Sequence, residues 1–292
     1  MFVEVGPDFL CVGMQKAGTG WLFDQLQFHP DFWMPPVKEF HYLSRDVPQF
    51  TNALKGLKKA KRAKRQNKER SGSRRKWGEH DMEFLEEAAA LSGKPVDLDK
   101  YAQLFRFKGK LISGDVTPGY SGMEGDVIEK VAARFPEIRV LVLVRDPVSR
   151  AWSQLSMAHR REKFDSSMLA DPVRFRRYLE RYPQLQRVGY PARIVERWQK
   201  HAPKVNFRWF FFDDIASKPD ETRADILTFL GADPQKSSGD IPPDHNRKAS
   251  AAKLEMTDDI KNVLADFFKD EIHASAAILG GPAKEWGSRY GV

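Results

Sequence analysis

The stretch from Phe9 to Phe28 constrains the fold most. A short apolar run, Phe9–Gly13, leads through the glycine-bearing turn Gly13–Gly20 into the helix-patterned Thr19–Phe28. A strand without polar alternation is one buried on both faces, as in a parallel sheet covered by helices. At such a strand-to-helix turn the backbone amides converge and the helix dipole is positive, so the turn is an anion-binding site. Gly18 and Gly20 let the backbone approach a phosphate, Thr19 adds a hydroxyl donor, and Lys16 adds a mobile charge. A nucleotide phosphate is the expected ligand. The NTPase pattern Gly-x-x-x-x-Gly-Lys-Ser/Thr is not followed, because Thr19 and Gly20 stand after Gly18 and the lysine precedes it.

Further apolar, β-branched runs occur at Leu111–Gly114, Arg139–Val144 and Val205–Phe212. Helix-patterned stretches lie between and after them, at Met82–Leu91, Leu98–Phe107, Val127–Phe135, Val148–Arg161, Pro172–Arg181, Ala192–His201, Pro219–Leu230 and Met256–Leu279. Asp97 and Asp171 stand where N-caps belong, and Gly93 where a helix ends. This alternation predicts an α/β fold, a P-loop-like, mainly parallel central sheet flanked by helices, in one domain over residues 1–292. Two stretches read as exposed loops or arms: a basic insertion at about residues 53–76, and Gln235–Pro243, rich in Ser, Asp and Pro.

The net charge of +8 is local. Between Lys55 and Lys76 there are 12 Lys or Arg and one acid, Glu69, which leaves the rest of the chain slightly acidic. The apolar positions of that segment, Leu54, Leu57, Ala60 and Ala63, make at most a thin stripe on a cationic helix. Its plain reading is a solvated arm; its functional reading is a patch for an anionic partner. Interleaved aromatics are missing, which disfavours nucleic acid. No apolar run reaches the roughly 20 residues of a membrane span, and no basic n-region with an apolar core opens the chain. With Cys11 as its only cysteine, the chain fits a reducing cytoplasm.

A second phosphate element follows the strand Arg139–Val144. There Arg145-Asp146-Pro147 opens a helix, and Ser153 lies nearly two turns along it. An arginine fork with a hydroxyl suits a terminal phosphate, whereas a Mg²⁺-dependent NTPase prefers an aspartate at that strand end.

With both elements in order, the chain resembles the sulfotransferase family that uses 3′-phosphoadenosine 5′-phosphosulfate (PAPS), in the branch of heparan sulfate and bacterial sulfotransferases. Lys16-Ala17-Gly18-Thr19-Gly20-Trp21-Leu22 resembles its 5′-phosphosulfate loop, and Arg145 through Ser153 its 3′-phosphate element. Lys38-Glu39-Phe40-His41-Tyr42 resembles the segment that carries the catalytic glutamate. Weaker matches stand at Gly114-Asp115-Val116-Thr117-Pro118-Gly119-Tyr120 and at Gly189-Tyr190. Heparan-type relatives commonly have a lysine where this chain has Val116, a departure that bears on the acceptor.

The resemblance implies sulfuryl transfer from PAPS to an acceptor hydroxyl, on a carbohydrate or another hydroxylated metabolite, without a metal. It implies Lys16 and Glu39 as catalytic residues, with His41 assisting. It also implies donor contacts from Lys16, Ala17, Gly18, Thr19, Gly20, Trp21, Arg145 and Ser153, and from a basic loop at Arg247 and Lys248. Two rival readings are a P-loop kinase using ATP and Mg²⁺ and a basic nucleic-acid-binding protein.

Overall fold

Burial on both faces turns the apolar runs into parallel strands. In a computed structural model of the chain the residues described are 5–44, 49–65, 80–182, 185, 188–239, 241–245 and 254–292, with the side chains of 59, 60 and 63–65 outside that set. The strands are β1 (Phe9–Cys11), β2 (Gly114–Val116), β3 (Arg139–Val144) and β4 (Asn206–Phe211), all parallel, in the order β2-β1-β3-β4. β1 and β2 are buried throughout, and Val140 to Val144 have no exposed surface.

β2 begins where the apolar run Leu111–Gly114 ends. The pairing starts at Phe9 opposite Gly114, so Leu111 is left outside the sheet and 39% exposed.

The helices are α1 (Thr19–Gln27), α2 (Thr51–Arg65), α3 (Asp81–Leu91), α4 (Leu98–Gln103), α5 (Gly125–Arg134), α6 (Pro147–His159), α7 (Pro172–Glu180), α8 (Pro191–His201), α9 (Phe212–Ser217), α10 (Pro219–Leu230), α11 (Asp258–Leu279) and α12 (Trp286–Tyr290). Asp97 and Asp171 cap as the sequence predicts, each accepting two backbone N–H bonds at the start of α4 and α7. The stretch Leu98–Phe107 divides into α4 and a 3₁₀ turn, Arg106–Lys108.

The basic segment is not an arm along its whole length. Residues 51–65 are helical, with Ala53 buried and Leu57 packed against the core, while Leu54 faces solvent. Residues 66–76 lie outside the described set. The loop at Gln235–Pro243 is likewise anchored, since Arg223 on α10 donates to Lys236 O and Ser238 Oγ, and α1 donates from Trp21 and Gln25 to Pro243 O and Pro242 O. No described helix is long and apolar enough to cross a membrane.

The C-terminal third is organised by α11, which packs against α6, α7 and α8. On its inner face Glu271, 4% exposed, accepts a 2.8 Å hydrogen bond from Ala192 N at the start of α8. Burial pushes this carboxyl from 4.5 up to about 7, against the opposing pull of the Ala192 N–H and the Arg193 charge. The folded state therefore holds the proton more tightly than the unfolded chain, and stability is expected to fall as pH rises from about 4.5 to 7. E271Q keeps the acceptor for Ala192 N but has no proton to lose. Urea unfolding at pH 5 and at pH 7.5 should show the native protein losing ~2 kcal/mol more than E271Q over that interval. Equal losses would place the Glu271 titration outside the folding equilibrium.

Candidate active site

At the carboxyl ends of β1 and β3 the chain departs in opposite directions, from β1 toward β2 at one side and from β3 toward β4 at the other. The crevice between such diverging connections is where open α/β sheets bind ligands. Both phosphate elements open into it.

The first element is Gly13–Gly20. Gly18 caps α1 at φ 97°, a conformation that favours glycine, and a Cβ there would be a tight fit, 3.1 Å from Ile215 Cδ1 and 3.3 Å from Phe212 Cδ2. The first hydrogen bond of α1 runs from Leu22 N to Gly18 O, and the amides of Thr19, Gly20 and Trp21 meet no backbone acceptor among the described residues. Nothing lies within 4 Å of the position a Cβ would take at Gly20. The result is an open cradle of N–H groups suited to a phosphate. Ala17 is buried beneath it, and Trp21 ties the cradle to the Pro243 carbonyl.

Arg145 joins the second element to the first. Its Nη1 donates to Lys16 O at 3.0 Å, and its guanidinium lies 4.3 Å from the centre of the Phe212 ring. Burial draws its pKa below the usual arginine value, yet a guanidinium stays charged at neutral pH. Asp146 caps α6 by accepting from Ser149 N at 2.8 Å, and it accepts from Tyr290 OH at 2.7 Å and from Arg289. The C-terminal helix α12 thus braces the strand end. Ser153, half-buried, follows Ser149 by one turn on the same face of α6.

Glu39 and His41 enter from the β2 side. The Lys38 ammonium donates to Thr19 Oγ1 at 3.0 Å and lies 3.7 Å from Glu39 Oε1, so one cation touches both the phosphate loop and the carboxylate. His41 Nε2 lies 3.9 Å from Glu39 Oε2, beyond hydrogen-bonding range. Burial lowers the His41 pKa, with Glu39 pulling the other way, so the imidazole is neutral at neutral pH. Its Nδ1 is buried over Gly119 with no hydrogen-bond partner among the described residues.

Of the residues expected from sequence, Lys16 through Trp21 and Arg145 meet at the crevice, and Glu39 with His41 joins them through Lys38. Arg247 and Lys248 lie outside the described residues; the flanking Pro242 and Pro243 are held to α1 and Leu254 to α6. Cys11 is buried in β1 with its thiol pushed up to about 12, which removes it as a nucleophile.

Sequence reasoning missed the buried network under Glu39. Asp115 Oδ1 accepts from Thr117 Oγ1, and Asp115 Oδ2 accepts from Tyr101 OH and Tyr120 OH. Burial pushes the Asp115 carboxyl up to about 6 against those three hydrogen bonds. The Gly114-Asp115-Val116-Thr117 match pointed at this strand, but nothing in it pointed to a carboxylate receiving three hydroxyls.

A sulfotransferase family model matches residues 7–236. Among solved structures, a sulfotransferase from Alicyclobacillus acidocaldarius aligns with TM-score 0.63 and 22% identity, covering 96% of this chain and 98% of the other. The sulfotransferase domain of the Synechococcus PCC 7002 olefin synthase aligns at 0.51 and 14% identity, covering 90% and 95%. The sulfotransferase domain from the curacin biosynthetic pathway aligns at 0.51 and 15%, covering 98% and 96%. No curated protein sequence matches the chain. The solved structures carry the α/β fold, while the family match takes in β1 through β4 and both phosphate elements: the chain belongs to the sulfotransferase family and is a transferase.

Proposed function

We propose that the protein transfers the sulfuryl group of PAPS to an acceptor hydroxyl by in-line displacement, with Glu39 as the base. The observation that carries this reading is the position of Lys38, whose ammonium touches Thr19 of the phosphate cradle at 3.0 Å and lies 3.7 Å from Glu39. An anion cradle and a carboxylate sharing one cation are close enough for a group to pass between their ligands.

In this reading the amides of Gly18, Thr19 and Gly20 hold the 5′-phosphate, and Arg145 with Ser153 holds the 3′-phosphate. Arg247 and Lys248 supply further positive charge to the nucleotide. The acceptor oxygen forms its bond to sulfur as the bond from sulfur to the bridging oxygen breaks. The electron pair stays on the departing adenosine 3′,5′-bisphosphate, where the Lys16 ammonium stabilises it. The hydroxyl proton goes to Glu39. Neutral His41, beside the carboxylate, assists it. Charge stabilisation comes from Lys16, Lys38 and Arg145, so no step calls for a metal.

The acceptor is a hydroxylated molecule such as a carbohydrate. Asn52, at the start of the basic helix α2, donates to Lys38 O at 2.9 Å, so the exposed cations Lys55, Lys58 and Arg62 begin beside the acceptor side and suit an anionic partner.

Calorimetry with adenosine 3′,5′-bisphosphate, in parallel with ATP plus Mg²⁺, tests the donor. Binding of the bisphosphate should be metal-independent and should weaken by roughly 10²-fold in Arg145→Ala, as loss of a charge-assisted contact implies. Preference for ATP with Mg²⁺ would instead favour phosphoryl transfer.

Turnover is measurable without a known acceptor, as release of the bisphosphate from PAPS to water. Lys16→Ala and Glu39→Gln should each slow it by roughly 10²-fold or more, and Glu39→Gln should leave bisphosphate affinity unchanged. Native-rate turnover in Glu39→Gln would remove Glu39 as the base.

A further inference from the structure

Glu39 and His41 both have left-handed backbone, φ 65° and 54°, with Phe40 between them. Non-glycine residues seldom adopt this region, and two such residues flanking a third persist where the surroundings fix them. The alternation is what sends the Glu39 and His41 side chains to one side, 3.9 Å apart, while Phe40 goes the other way into the core at 1% exposure. Phe40 packs there against Phe50, Phe84 and Phe105, with ring centres 5.4, 5.6 and 6.4 Å away.

Apolar packing sets the depth of Phe40 but not the rotation of its peptide. The peptide between Glu39 and Phe40 is held at its N–H by a hydrogen bond from Phe40 N to Thr117 Oγ1 at 2.9 Å, while its carbonyl accepts from Asn52 Nδ2 at 3.5 Å. A threonine hydroxyl has a single proton, and here it is given to Asp115 Oδ1 at 2.6 Å, so the oxygen can only accept from Phe40. Asp115 is held in turn by Tyr120 OH at 2.7 Å and Tyr101 OH at 3.0 Å. Asp115, Thr117, Tyr101 and Tyr120 are all at most 1% exposed. Glu39 N donates to Val116 O at 3.3 Å, between the two polar residues of the same strand end. A buried carboxylate that receives three hydroxyls and directs the third onto the backbone between two site residues is more than an element of the core.

We infer that Asp115 and Thr117 are positioning residues of the transfer reaction, which fix the peptide of Phe40 and thereby hold Glu39 and His41 facing the phosphate crevice. The inference rests on Glu39 being the base. Thr117 is the direct contact, and Asp115 orients its hydroxyl. Neither touches the substrates.

The test is release of bisphosphate from PAPS to water in T117V, T117S, E39Q and the T117V/E39Q double variant. Bisphosphate affinity is measured by calorimetry, and assays run below the melting transition of each variant. T117V keeps the shape and removes the hydroxyl. It should lower kcat by roughly 10- to 100-fold with bisphosphate affinity unchanged, T117S should recover most of the loss, and T117V should add nothing further in the E39Q background. A native kcat in T117V, an equal loss in T117S, or a full T117V factor on top of E39Q would overturn the inference. Should T117V not fold, D115N takes its place with the same kcat-selective loss expected, since the amide offers one acceptor where three hydroxyls converge. E39Q turning over at the native rate overturns the assignment of the base; a strong loss in E39Q alongside native turnover in T117V overturns the positioning role alone.

Discussion

Parallel pairing of β1 with β3 is the constraint on which the rest depends. It does not stop at the strand end: Val12 N donates to Leu141 O at 2.9 Å, Leu143 N to Gly13 O at 2.9 Å, and Met14 N to Leu143 O at 2.7 Å. The phosphate loop is thus an extension of the sheet, in register with the strand that ends at Arg145. The Arg145–Lys16 contact closes this ladder with a side chain where the backbones part. A slip of one residue would turn the side chains of β3 over and take Arg145 away from the loop. Both phosphate elements therefore share one geometric origin, although 129 residues separate Lys16 from Arg145.

Against that rigid frame the site holds several unfavourable arrangements. Asp115 is 1% exposed and its carboxyl is pushed from 3.8 up to about 6 by burial, a displacement of the order of 3 kcal/mol. Lys16, Glu39 and His41 hold left-handed backbone, each at a cost of order 1 kcal/mol. Arg150, in α6, is fully buried with Gln154 and the Leu185 carbonyl as its hydrogen-bond partners, and burial brings its pKa down to about 10. A chain optimised for stability alone would remove such features. Glu271 shows that such features also occur away from the crevice, but Lys16, Glu39 and His41 adjoin it and hold their backbone only because the surroundings fix it.

Much of this was legible in the sequence because it is local. The apolar runs, the glycines at 18 and 20, and the caps at Asp97 and Asp171 signal through neighbours a few residues away. What stayed hidden joins distant residues. Thr117 meets Phe40 across 77 positions, and Asp146 meets Tyr290 across 144. No periodicity announces such pairs, since each depends on where the sheet brings the chain. The start of β2 was displaced for a related reason: Leu111 suits a strand, but the short β1 offers Phe9 as its first partner and Gly114 answers it. The basic segment reads in the sequence as a cationic helix with a thin apolar stripe or as a solvated arm, and the structure makes its residues 51–65 a helix. Ala53 is buried, Leu57 packs against the core and Gly56 lies against Val37 and Leu85, contacts that a count of charges cannot show.

The placement of that helix decides what its charge can do. Over the rest of the chain acids and bases nearly balance, so the electrostatic field outside the protein is largely that of the basic segment. Salt confines such a field to about 8–10 Å. Asn52 fixes the start of α2 to the carbonyls of Lys38 and Glu39, and Lys55 follows one turn later, within that distance of the site. Arg62 lies ten residues from Asn52, about 15 Å along the axis, beyond that reach. Lys55, Lys58 and Arg62 lie along one side of the helix, whereas Lys61 on the neighbouring side is paired with Glu86 of α3. Of the cations of α2 it is therefore Lys55 and Lys58, three and six residues from Asn52, that stand within a screening length of the Asn52 contact.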